Sequence, residues 1–83
     1  MQLIVGTVAQ EIPFDGDSRL SLQNLGPGNL YVDTRSTVTA SGSTGGIKIL
    51  PGGGYESPMT GGMGGKFFVI ADAANTDVRY MEI

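Results

Sequence analysis

The sequence predicts an all-β fold, a small antiparallel β-sandwich or barrel of about seven short strands. Three observations carry that expectation. No window places apolar residues at i, i+3, i+4 and i+7 without a Gly or Pro interrupting it, so no helix is expected. Fourteen glycines and four prolines cut the 83 residues into short segments. Those segments alternate apolar and polar side chains, as half-buried strands do. There is no internal repeat and no long linker, so residues 1–83 read as one domain.

Taken in order, Gln2–Val8 is the first expected strand and Glu11–Phe14 a short second one. Asp15-Gly16-Asp17 then signals a turn, because Asp and Gly satisfy and permit tight backbone geometry. Arg19–Leu25 sets Leu20 and Leu22 on one face and Ser21 and Gln23 on the other. Gly26-Pro27-Gly28 turns the chain, and Asn29–Thr34 returns with Leu30 and Val32 facing together, which predicts a hairpin. Ser36–Ala40 is Thr-rich and predicts a polar edge strand. Beyond a loop at Ser41–Gly46, Ile47–Leu50 alternates around Lys48, and Pro51 to Gly54 forms another turn. Tyr55–Gly65 holds Pro58, Met59, Met63 and four glycines, and predicts a long loop or ragged edge. Lys66–Asp72 is apolar on both faces, the mark of a central strand, and Asp77–Ile83 supplies the last strand.

Composition narrows the function classes. A single core of this size supplies only about 3–5 kcal/mol of net stability, and small domains commonly add a disulfide, a metal or a partner. There is no Cys and no His, which removes disulfides and the usual zinc sites and leaves partner surface. Charged residues make up 16% of the chain, against roughly 25% in typical domains, as if part of the surface were covered by something else. The five cations, Arg19, Arg35, Lys48, Lys66 and Arg79, are scattered singly on a chain of net charge −3, so no nucleic-acid partner is expected. The longest apolar run, Phe67 to Ala71, falls far short of a membrane span, so no membrane partner is expected either. The opening Met1–Val5, followed by Gly6 and Thr7, lacks a basic leader and a full apolar stretch, and predicts a protein made in the cytoplasm without a secretory signal.

The chemical motifs are weak. Without His, nucleophilic catalysis lacks its usual base, and lone lysines such as Lys48 and Lys66 on strands are ordinarily solvated. Asp15-Gly16-Asp17-Ser18 lacks the further oxygen ligands and the distal bidentate Glu of a calcium loop. Gly61-Gly62-Met63-Gly64-Gly65-Lys66 fails as a phosphate loop: Thr60 stands where the first Gly belongs, Phe67 stands at the Ser/Thr place, and a strand follows instead of a helix. No catalytic residue, metal ligand or cofactor is therefore assigned. Met59 and Met63, with Tyr55 and Phe68 nearby in sequence, form the candidate contact surface, because methionine adapts to irregular partners.

Three stretches have a familiar look. Leu22-Gln23-Asn24-Leu25-Gly26-Pro27-Gly28-Asn29-Leu30-Tyr31-Val32 resembles small virion proteins of tailed bacteriophages. So do Gly46-Ile47-Lys48-Ile49-Leu50-Pro51-Gly52 with Tyr55-Glu56, and Phe67-Phe68-Val69-Ile70-Ala71 ahead of Asp77-Val78-Arg79. The resemblance implies a structural virion protein, a capsid decoration or cement protein that stabilises the head shell. A tail or host-surface carbohydrate-binding module is the alternative. The implied partners are the major capsid protein or another virion protein, with homo-oligomers (trimers among them) expected, and the implied location is the virion.

Overall fold

The computed structural model describes residues 1–13, 19–41, 45–57 and 66–83. Within them lie eight strands and no helix: β1 (Gln2–Val5), β2 (Gln10–Glu11), β3 (Leu20–Gly26), β4 (Leu30–Asp33), β5 (Ile47–Ile49), β6 (Gly54–Glu56), β7 (Phe68–Ala71) and β8 (Thr76–Glu82). They form two antiparallel four-stranded sheets, ordered β1-β8-β3-β6 and β2-β7-β4-β5. The pairings β1–β8, β2–β7, β3–β6 and β4–β5 are nested, and β3–β8 and β4–β7 join them side by side. A long hairpin folded over on itself gives this order, which is the strand order of a jelly roll. Of the expected sandwich or barrel, the sandwich forms.

Alternation along the strands builds the core. Val5, Leu20, Leu22, Val78 and Tyr80 of the first sheet meet Leu30, Val32, Ile49, Val69 and Ala71 of the second, with Ile12 and Phe67 closing one end. Fully burying a Leu or Val side chain stabilises by about 1.5–3 kcal/mol, so these rows supply the main driving force. As expected, the strand within Lys66–Asp72 is interior: β7 has a neighbour on both sides, and so does β8.

Two expectations give way. The predicted hairpin across Gly26-Pro27-Gly28 is a corner between sheets, since β3 belongs to the first sheet and β4 to the second. Alternating apolar residues look the same whether two strands pair or face each other across a core. Asn24 decides between these arrangements. Fully buried, it donates from Nδ2 to the carbonyls of Gly28 and Ile49, each at 2.9 Å, and accepts the Gly26 N–H at 2.8 Å. Gly26 takes a left-handed φ of 86°, and the Gly26–Pro27 peptide is cis.

Ser36–Ala40 is not a strand. Thr34 N–H bonds the Asp33 carboxylate at 2.7 Å where β4 ends, Val38 N–H bonds the Arg35 carbonyl at 3.3 Å, and Thr39 Oγ1 bonds the Ser41 carbonyl at 3.1 Å. Such local side-chain bonds offer the backbone an alternative to a ladder, and they outweigh the β-propensity of threonine here. Val38 is nonetheless buried, although it lies outside the main core cluster. Of the loop or ragged edge expected from Tyr55 onward, Tyr55 and Glu56 form the edge: they belong to β6, paired with β3 through Ser21↔Glu56 and Leu22↔Tyr55. The remainder of the predicted loop from residue 58, like the turn at Asp15-Gly16-Asp17, lies outside the described residues.

Candidate interaction surface

The sequence placed a contact surface at Tyr55, Met59, Met63 and Phe68. Met59 and Met63 lie outside the described residues. Tyr55 and Phe68 are not brought together. Tyr55 sits on β6 with its ring turned inward, edge-on to Phe67 at a centroid distance of 6.3 Å. Phe68 is on β7 in the other sheet, between inward-facing Phe67 and Val69, opposite Glu11 and Asp33 on the outer side. A side chain's parity along its strand separates these two, and sequence proximity concealed it.

The structure brings a different group together. β3 and β8 put Leu20, Leu22, Val78 and Tyr80 into the core, so the intervening Ser21, Gln23, Leu25, Asp77, Arg79 and Met81 face outward. On β1, inward Val5 likewise leaves Gln2 and Ile4 outward. Arg19 and Ile83 extend the β3–β8 ladder by exchanging backbone bonds of 3.2 and 2.8 Å, which keeps Ile83 on the same outer face. Ile4, Leu25, Met81 and Ile83 are 49, 45, 57 and 47% exposed, four large apolar side chains on one sheet face. Period-two alternation of β3 and β8 could have located Leu25 and Met81 in the sequence. Register supplied the neighbours.

The charges of this face are internally matched. Asp77 accepts from Arg79 Nε at 3.1 Å and Nη2 at 3.2 Å and from Gln2 Nε2 at 3.1 Å. The Arg79 guanidinium first, and Gln2 second, hold the Asp77 carboxyl below its ordinary range. Arg19 meets Glu56 at 3.5 Å. Between the two apolar ends lies a concavity of about 260 Å³ over Ser21, Gln23, Arg79 and Met81, bordered by Met1 where β1 begins. Typical small-ligand pockets start near 300 Å³, so this one is smaller than that range.

Acid and hydroxyl groups elsewhere serve the scaffold. Buried Ser57 Oγ accepts the Leu20 N–H at 2.7 Å, and buried Thr76 Oγ1 donates to the Ala73 carbonyl at 2.9 Å. Asp72 accepts the backbone and side-chain N–H groups of Asn29, both at 2.8 Å, and the side-chain bond is the first reason its carboxyl is held low. Lys66 stands 4.0 Å from Glu11, and Lys48 is opposite Tyr31 on the outer side of the second sheet. Among the described residues, no group of three or more acidic side chains could hold a metal ion.

Neither a family model, nor a curated protein, nor a solved structure matches this chain.

Proposed function

We propose that the chain is a structural, non-enzymatic module that binds and reinforces a larger protein assembly, namely the head shell of a tailed bacteriophage, as a decoration protein located in the virion. The observation that carries this reading is the outer face of the first sheet, where Ile4, Leu25, Met81 and Ile83 stand exposed around matched charges. A small domain gains most from covering such a face, because its own core is limited. Apolar anchors around a neutralised polar centre suit a protein partner, where a few residues dominate affinity.

The choice of a shell as partner rests on the resemblance of Leu22–Val32 and of the two later stretches to phage virion proteins. The jelly-roll strand order adds an analogy, since it recurs in viral capsid and lectin domains. On a shell, many copies bind side by side, and modest contacts per copy add up through multivalency.

The test mixes purified protein with undecorated phage heads and examines the pelleted particles by electron microscopy. Added density at regular shell positions, with particles resisting heat better than undecorated ones, is the expected result. Bare shells at about 10 µM protein, well above a micromolar dissociation constant, would overturn the reading.

A further inference from the structure

We propose that β1 pairs with β1 of a second copy of this chain, joining the first sheets of two molecules into one continuous antiparallel sheet. This goes beyond the shell-binding reading, because it uses the edge of the sheet and not its face.

Two four-stranded sheets have four edges: β1, β6, β2 and β5. Natural edges are protected by brevity, charge, proline or bulges. β2 is two residues long, β6 is three residues with Glu56, and β5 is three residues with exposed Lys48 at its centre. β1 has none of these devices: it runs for four residues, Gln2-Leu3-Ile4-Val5, without charge or proline.

The phase of the ladder points to the same edge. Met1 and Tyr80 exchange both backbone bonds, Met1 N to Tyr80 O at 2.6 Å and Tyr80 N to Met1 O at 2.8 Å. Bonded and non-bonded pairs alternate in an antiparallel ladder, so Leu3/Val78 is the next bonded pair, and Gln2 and Ile4 aim their N–H and C=O groups away from β8. Among the described residues, no backbone bond outside the ladders uses these groups.

A second β1 fits them by symmetry. A two-fold axis through Leu3 sets Gln2 opposite the partner's Ile4 and Ile4 opposite the partner's Gln2. Each of these pairs exchanges two backbone bonds, and the contact is isologous. Leu3, which packs only partly buried against the core, then faces the partner's Leu3 at the closer, non-bonded position. Gln2 and Ile4 remain on the outer face, so the apolar face described above runs unbroken across both molecules.

Sedimentation equilibrium up to about 100 µM protein, with hydrogen exchange at several concentrations, tests this. The expected result is a dimer in which the Ile4 amide is protected at high concentration and exposed on dilution. Ile4→Pro removes an N–H that does not bond β8, and proline is tolerated where an edge N–H faces outward. That variant should keep the wild-type circular dichroism spectrum and weaken dimerisation about tenfold or more, the equivalent of one to two lost hydrogen bonds. Ile4→Lys, which keeps the N–H and adds a charge to the edge, should act in the same direction. A monomer throughout the concentration range, or Ile4 exchange independent of concentration, would overturn the proposal. Particle binding is read in its own assay, so failure of β1 pairing and failure of the shell reading give different results.

Discussion

Asn24 and Gly28 are joined across the corner between the two sheets, the Asn24 Nδ2 donating to the Gly28 carbonyl at 2.9 Å in a fully buried setting. The same side chain reaches Ile49, and its own backbone bonds Gly52 and Gly53, so one residue ties β3 to the start of β4 and to the turn after β5. Where the chain leaves one sheet for the other, it has no ladder to fix its path. Asn24 supplies the bonds that a ladder would have supplied.

Replacing Asn24 with Ala should destabilise the protein by about 2–5 kcal/mol, since two carbonyls and one N–H lose their partners inside the core. Asn24→Asp keeps the shape but cannot donate from its carboxylate, and should cost a similar amount at neutral pH. Urea denaturation of the two variants against wild type checks both.

Gly28→Ala tests the tightness of the same corner. A β-carbon there would lie 2.8 Å from Thr76 Oγ1, 2.9 Å from Asp72 Oδ1 and 3.0 Å from the Ala73 β-carbon. Overpacking of this kind costs about 1–3 kcal/mol. Gly6→Ala, where nothing lies within 4 Å of the added carbon, should change the thermal midpoint little and serves as the control.

Acid should weaken the fold gradually. Asp72, held low first by the Asn29 side chain and then by the Asn29 backbone, and Asp77, held low first by Arg79 and then by Gln2, both have depressed folded-state pKa values. A depressed carboxyl contributes stability above the unfolded value and loses it as pH falls through the folded one. Urea midpoints should therefore stay level from neutral pH to about 5 and decline below about 4. Asp72→Asn should flatten part of that decline. A midpoint that rises on acidification would contradict the linkage.

Two surfaces can be set against each other in a particle-binding assay. Leu25→Ser combined with Met81→Ser should weaken binding by about 1–4 kcal/mol while leaving the melting temperature close to wild type, because both side chains are exposed. Met59→Ser with Met63→Ser tests the surface expected from the sequence. Loss of binding only in the Met59/Met63 pair would move the docking site away from the sheet face.

Much of the fold was legible because alternation is a local property. Leu20 and Leu22, Leu30 and Val32, and Val78 and Tyr80 announced both their strands and their buried faces. Pairing was not legible, because it depends on distant partners: Leu22 lies beside Tyr80 and Tyr55, and nothing near Leu22 in the chain says so. Ser36–Ala40 misled because threonine favours strands only when a neighbouring strand is available, and Asp33 and Thr39 closed the backbone locally first. The separation of Tyr55 from Phe68 was hidden for a related reason. Tyr55 and Phe68 are close to the methionines in sequence, yet Tyr55 turns into the core from the first sheet while Phe68 faces outward on the second.

The nested order of strand pairs also sets a timetable for folding. β4 and β5 close the shortest loop, β3–β6 and β2–β7 enclose it in turn, and β1–β8 joins Gln2 to Arg79 last. Closing wide loops costs entropy before any contact rewards it, so folding should take milliseconds to seconds, slow for so short a chain. Truncating Leu30 on β4 should slow refolding, whereas truncating Val78 on β8 should chiefly quicken unfolding. Stopped-flow chevrons on those two variants would reveal whether the chain closes from its hinge outward.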